Sequence, residues 1–342
     1  MKIAFSWNEL PKYGAYCLKE IAQKNPNLEI ISIKSPLPIK NLDKMFKKKI
    51  HWVKDQNLKW SDLNLSVPDI FFQAGWYKKS FVSLGNEVKN NGGKLILLAD
   101  NSYNGTLRQK IGSIIYRMMY LSHFDATWVP GYSGTKLMKS FGLKKEQIFQ
   151  GLYASNKKIY KKGKISSMRS KTFLFVGNLI KEKGFRELLD SFDKFSKNYP
   201  EWKLIIVGNG PLKKIIPKNP KIKHHSFKKP EEIATLMRKS MFLVLPSYLD
   251  HWPLVVNEAS LSGCGLILSN KVGNLSEFSN NKNSFIFKYN SEDSLISALK
   301  KASQLSNIKL DIMFRESVKL GSKFTISNWV KNYFKILKYL KN

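Results

Sequence analysis

Two α/β domains, each a parallel sheet with helices on both faces, are the fold class this sequence predicts, and three observations carry it. The chain has 342 residues, enough for two domains of ordinary size, and 43% of them are hydrophobic, so each half can bury a core. Short, nearly continuous apolar runs alternate with helix-like stretches along the chain, the rhythm of βαβ units. Near residues 151–170 that rhythm lapses into polar, basic, aperiodic sequence. The expected division is a domain over 1–155, a linker over 156–170, a second domain over 171–320 and a terminal helix over 321–342, possible to pack back on the first domain.

The first half opens with an apolar strand at residues 2–7, a loop holding Pro11 and Gly14, a helix, and a strand over 28–34. Residues 36–66 are hard to assign. Their run Lys47, Lys48, Lys49 with Trp52 and Trp60 suits either an amphipathic face or a solvated helix with aromatic anchors. Residues 68–75 read as a strand and turn, 88–102 as a helix end, turn and buried strand, and 124–142 as strand, glycine turn and helix.

The second half is clearer. Strands are expected at 171–179, 202–211 and 241–247, with an amphipathic helix at 182–200 between the first two. A short strand near 224–227, a helix over 231–240, a short helix near 257–265, strands near 265–270 and 284–290 and a helix near 294–302 follow. The terminal stretch 326–342 spaces aromatic and aliphatic residues at helical intervals with lysines between them. Packing on the body and membrane docking are both compatible with it. Two doubly wound domains are expected to face each other across a cleft, with ligands at the carboxyl ends of their strands.

The formal charge of +33 constrains partners more than fold. It fits either a compositional bias spread along the chain or attraction to an anionic surface, such as acidic lipid headgroups or phosphorylated substrates. Nucleic acid is disfavoured, because no zinc-finger spacing, RNP-like stretch or confined basic recognition helix is present. Two cysteines, Cys17 and Cys264, exclude a disulfide scaffold and fit a reducing compartment. The first apolar run is too short for a secretory signal, and the run at 241–246 is far short of a membrane span. A cytoplasmic protein, peripheral on the inner membrane face at most, is expected.

Three constellations carry chemistry. Residues 177–184 follow a strand and precede a helix. Gly177, backbone N–H groups and the cations Lys181 and Lys183 suit a diphosphate there. Residues 207–212 end another strand, and Gly208 and Gly210 before Pro211 and Leu212 permit close backbone approach to a ligand. This is neither a G-x-G-x-x-G fingerprint nor a P-loop. In residues 246–265, seven residues separate Asp250, in the loop after a strand, from Glu258, near the start of the next helix. Such carboxylates can accept hydrogen bonds from the hydroxyls of a ribose or hexose. A solvated turn, a plain turn residue and a helix-capping glutamate are the corresponding bland readings.

Taken together, these motifs resemble the retaining glycosyltransferases of GT-B fold, family 4, typified by bacterial mannosyl- and glucosyltransferases. The matching positions are Gly177, Asn178 and Leu179 with Lys183 and Gly184; Gly208 to Leu212; and Pro246, Ser247, Asp250, Glu258, Ala259 and Gly263. His251, Trp252, Pro253 and Leu254 flank the acidic pair, and Gly273 and Asn274 lie in a segment similar to the loop near the donor sugar. The resemblance is specific over about 171–280. It implies that Lys183 binds the donor diphosphate, Glu258 the ribose hydroxyls, and Asp250 the transferred sugar. The sequence departs from the pattern at Asn178, where the family carries arginine, at the shortened Asp250, and at Gly14, left of a glycine pair. No histidine stands in the family's usual N-terminal position; Asp100 and Asn101 occupy that region.

The implied activity is hexosyl transfer, with retention, from a nucleoside-diphosphate sugar to a saccharide or lipid-linked acceptor in cell-surface polysaccharide synthesis. No cofactor beyond the sugar-nucleotide substrate is expected, and no metal, since no His/Asp/Cys cluster has ligand spacing. A nucleotide-sugar epimerase, another enzyme of this architecture such as a sugar phosphorylase, and an inactive basic scaffold or nucleic-acid binder are the alternatives. Oligomeric state stays open.

Overall fold

The computed structural model describes residues 1–34, 42, 46 and 49–341. They form two compact units, residues 1–154 with 326–342, and residues 155–325. Two parallel sheets, of seven and six strands, give the α/β two-domain architecture that the apolar rhythm predicts.

In the first unit the strands are β1 (Ile3–Asn8), β2 (Leu28–Ile33), β3 (Ile50–Val53), β4 (Ile70–Ala74), β5 (Lys94–Leu98), β6 (Ala126–Val129) and β7 (Ile148–Gln150). Their spatial order is β3-β2-β1-β4-β5-β6-β7, and Ile3 lies opposite both Leu28 and Ile70. Helices α1 (Lys12–Ala22), α2 (Lys79–Asn90), α3 (Leu107–Met119) and α4 (Tyr132–Ser140) connect them. Alternate residues feed two cores. Ile3, Phe5, Phe72 and Ile96 face one side, and Ala4, Phe71, Leu95 and Leu97 the other. Strands are added outward in one direction from β1 and in the other from β4, so the switch point lies between their carboxyl ends.

The 36–66 stretch is partly resolved by this packing. Trp60 is fully buried and its indole N–H donates to the Leu84 carbonyl at 3.0 Å, so it is a core anchor rather than a surface one. Lys47 and Lys48 lie outside the described residues. Lys49 is exposed and Trp52 packs against the core from β3.

The second unit contains β8 (Ser170–Val176), β9 (Lys203–Val207), β10 (Ile222–His225), β11 (Ser240–Leu245), β12 (Gly265–Ser269) and β13 (Ser284–Phe287), in the order β10-β9-β8-β11-β12-β13. Helices α5 (Phe185–Asn198), α6 (Pro230–Lys239), α7 (Leu254–Leu261), α8 (Leu275–Phe278), α9 (Glu292–Ser303) and α10 (Asn307–Gly321) cover it. Every residue of β11 and β12 is buried, the mark of central parallel strands. Helix α5 buries Phe185, Leu188, Leu189, Phe192 and Phe195 at helical spacing. Helix α6 starts on Pro230, and the Glu232 carboxylate returns to accept from Lys229 N–H at 2.9 Å.

Residues 156–170, expected as a linker, belong to this second unit. Tyr160, Ser166 and Arg169 are buried. The Arg169 guanidinium donates to the carbonyls of Lys164, Ser240 and Ser262, each at 2.9 Å, and lies 4.3 Å from the Phe314 ring centre. One arginine surrounded by carbonyls fixes a segment whose lysines otherwise read as solvated.

The last helix, α11 (Ile326–Tyr339), returns to the first unit. Trp329, Tyr333 and Ile336 are buried in the core beside Phe5, with the Trp329 and Trp128 rings 4.6 Å apart and tilted by 30°. The Trp329 indole N–H donates to the Leu152 carbonyl at 2.8 Å. Trp329→Phe removes that donor and part of the packing. It is expected to cost about 2 kcal/mol in the urea unfolding of this unit.

Candidate functional site

In the second unit the switch point falls between β8 and β11. The loops that leave β8, β9, β11 and β12 meet at this carboxyl end, as ligand-binding loops of doubly wound sheets do. Backbone bonds tie them together. Leu179 N–H donates to Asn209 O at 2.8 Å, Leu212 N–H to Leu179 O at 3.0 Å, Tyr248 N–H to Glu182 O at 2.8 Å, and Gly273 N–H to Asp250 O at 2.7 Å. Four separate sequence segments therefore form one continuous rim.

The two glycine motifs serve this loop packing. A Cβ on Gly208 would fall on the Gly177 carbonyl oxygen, so Gly208 permits a close approach between the two loops. Gly184, at φ 64°, ends a short 3₁₀ turn over Lys181–Lys183 in the left-handed region, and its Cα faces the Pro246 carbonyl. The turn holds Lys183 toward the β11 loop.

There Lys183 is half-buried and ion-paired with Asp250. Its ammonium is therefore already neutralised in part before any ligand binds. Asp250 is 13% exposed, so the pair is largely shielded from solvent. Lys181 and Asn178 are exposed at the outer edge of the same loop. Glu258 sits on the second turn of α7 rather than near its start. Burial pushes its carboxyl up to about 7, against the lowering influence of a hydrogen bond with Tyr160.

Around this pair His251 is exposed and Trp252 packs edge-on to Phe278 at 5.7 Å. The Trp252 indole N–H is buried without an acceptor among the described residues. The Pro253 carbonyl accepts from the Asn274 amide at 3.1 Å, and Leu254 opens α7. The buried Oδ1 of Asn274 and Oγ of Ser247 likewise lack partners among the described residues. Gly273, Gly210 and Leu212 complete the rim. Asn274, Trp252 and Ser247 thus leave donors and acceptors unmatched behind an ion pair, an arrangement suited to a polar ligand.

The first unit carries a cavity of about 330 Å³ at the carboxyl ends of β1, β4 and β5. Trp7, Glu9, Tyr13, Trp76, Asp100 and Tyr153 are among its lining residues, as is Asn101. The Tyr153 hydroxyl donates to Asp100 Oδ2 at 3.1 Å, and the Tyr13 and Tyr153 rings meet edge-to-face at 5.5 Å. Burial first, then nearby charge including Asp100, holds both phenols well above their ordinary range. Gly14 belongs to this unit, beneath the Trp7 ring and Leu10, where a side chain would crowd both. It supports Trp7 from below.

Sequence reasoning missed Tyr13, Tyr153 and Tyr160. Tyr13 adjoins Gly14 and Tyr153 follows β7, but nothing in their spacing links either to Asp100. Among the described residues no group of three His, Cys, Asp or Glu side chains could hold a metal ion.

Residues 156–319 match the family described as Glycosyl transferases group 1. An uncharacterized glycosyltransferase of Haemophilus influenzae is 28% identical over 144 residues, a match spanning 40% of this chain and 41% of that protein. Among solved structures, HepE of Anabaena in complex with UDP shares the fold at a TM-score of 0.77 and 14% identity, covering 99% of this chain and 100% of HepE. A glycosyltransferase from Rickettsia africae is similar at a TM-score of 0.78 and 14% identity, covering 100% of this chain and 99% of that one. The chain spans less than half the length of that Haemophilus protein, and what it shares with the two solved structures is the two-domain α/β fold.

Proposed function

We propose that the chain transfers a hexose, with retention of anomeric configuration, from a nucleoside-diphosphate sugar to a saccharide or lipid-linked acceptor. One observation carries this reading. A cation, Lys183, is ion-paired with Asp250 in loops at the carboxyl end of a single parallel sheet, and a second carboxylate, Glu258, sits on the helix that follows the Asp250 loop. HepE, similar in fold, is known in complex with UDP-glucose, which makes uracil the first base to test.

In this reading the diphosphate lies along the loop 177–184, where backbone N–H groups, Lys181 and Lys183 take up the charge that grows on the leaving β-phosphate. Glu258, ionised, accepts the ribose hydroxyls. Asp250 leaves Lys183 to the phosphate and accepts from a hexose hydroxyl. Attack from the face that the nucleotide leaves, through an oxocarbenium-like state, gives retention. Asp100 and Asn101 line the cavity that receives the acceptor. Cell-surface polysaccharide synthesis at a membrane, with the protein held peripherally on the cytoplasmic side, suits a lipid-linked acceptor and the charge of +33.

Thermal shift with a panel of nucleotide sugars is expected to raise the melting temperature for one base. NMR of the product formed from that donor is expected to show the donor's anomeric configuration. An inverted linkage overturns the retaining mechanism. Conversion of the donor without any acceptor favours the epimerase. Stabilisation by none of the nucleotide sugars overturns the reading as a whole.

A further inference from the structure

Helix α3 is amphipathic in the wrong sense for a folded domain. Only Tyr116 of its residues is buried. Leu107, Ile111, Ile114, Ile115, Met118 and Met119 are 72%, 52%, 61%, 50%, 82% and 63% exposed. Their spacing of i, i+4, i+7, i+8, i+11 and i+12 places them on one broad face. The opposite, inward side is polar. Gln109 Nε2 donates to the Ser102 carbonyl at 2.7 Å, while its Oε1 accepts from Asn104 N–H at 2.7 Å. Tyr116 is clasped by Trp76 and Phe141. These bonds fix the rotation of the helix, so the apolar face is held outward. A contiguous apolar face of this kind marks a surface that is covered in use.

The charges beside it indicate what covers it. Arg108, Lys110 and Arg117 flank the apolar residues, and the helix carries no acidic side chain. Basic residues bordering an outward apolar face match an interface between acyl chains and anionic headgroups. Another protein chain would need its own acidic border. The loop that leads into α3 bears Asp100 and Asn101, which line the cavity of this unit. We propose that the outward face of α3 lies in the surface of an anionic bilayer, bringing that cavity close to a lipid-linked acceptor. This rests on the peripheral docking proposed above and names the surface that performs it.

The test uses the full chain and vesicles of phosphatidylcholine alone or mixed with phosphatidylglycerol. Co-sedimentation with the mixed vesicles only is the expected result. Ile114→Gln with Met118→Gln leaves the charge unchanged, yet is expected to weaken that binding at least about tenfold. Circular dichroism controls for folding. Met118→Cys, labelled with an environment-sensitive dye, supplies an independent readout, because Cys17 and Cys264 are both buried. Its emission is expected to shift to the blue on addition of the mixed vesicles.

Mixed-vesicle binding that survives the double substitution, with no dye shift, overturns α3 as the surface and leaves peripheral docking standing. No binding of the unaltered protein to either vesicle overturns both. A dimer that the double substitution dissociates overturns the lipid in favour of a second copy of the chain. The nucleotide-sugar thermal shift decides the transfer reading separately.

Discussion

Lys183→Ala is expected to weaken the binding of a nucleoside diphosphate by about ten- to a hundredfold, the equivalent of roughly 1–3 kcal/mol for a charge-assisted bond. The substitution acts twice. It removes a cation from the proposed diphosphate loop, and it strips Asp250, 13% exposed, of its counter-ion beside the incoming phosphates. The reciprocal change has the opposite sign for this ligand. Asp250→Asn releases Lys183 from its ion pair, so the free diphosphate is expected to bind more tightly while sugar transfer slows. Calorimetry with the nucleotide measures the first effect in both variants, and turnover of the sugar nucleotide measures the second. Equal affinity in the protein and its Lys183→Ala variant removes Lys183 from the site.

Glu258→Gln is expected to stabilise the second unit at pH 8 by about 3 kcal/mol while impairing nucleoside recognition. Burial raises the Glu258 carboxyl to about 7 in the folded chain. The folded state therefore holds this proton more firmly than the unfolded one. Stability is greatest below the ordinary carboxylate range, falls as pH rises toward 7, and levels off above it. Glutamine carries no charge to desolvate, so the difference between the two proteins should be small at pH 4 and fully developed at pH 8. Urea titrations across that interval check the sign. A variant less stable than the parent at pH 8 overturns the argument. Loss of nucleoside binding alongside greater stability is the usual signature of a charge kept for function.

The strands and their loops were readable because nearly continuous apolar runs ending in glycine or proline have few other uses. The loops carrying Lys183 and Asp250, and the helix carrying Glu258, follow directly from those strand ends. Pairings between distant residues were not readable. Sixty-seven positions separate Lys183 from Asp250, and no local pattern announces that they meet. Arg169 was hidden among surface lysines because its partners are main-chain carbonyls, which every residue supplies. Helix α3 stayed unassigned for a related reason. Periodicity reports that a helix has an apolar face but not which way it points, and here Gln109 and Tyr116 set the direction. The need of Gly208 for space was visible, but not that the Gly177 carbonyl occupies it.

The return of α11 to the first unit has a consequence for how the molecule is made. Synthesis delivers β1 to β7 first, yet Phe5, Phe72 and Trp128 lack the cover of Trp329 and Tyr333 until the closing helix has left the ribosome. Residues 155–325 form a continuous unit and are complete earlier. The half made first is therefore finished last, and through most of translation its sheet waits with one aromatic face open to water and to chaperones.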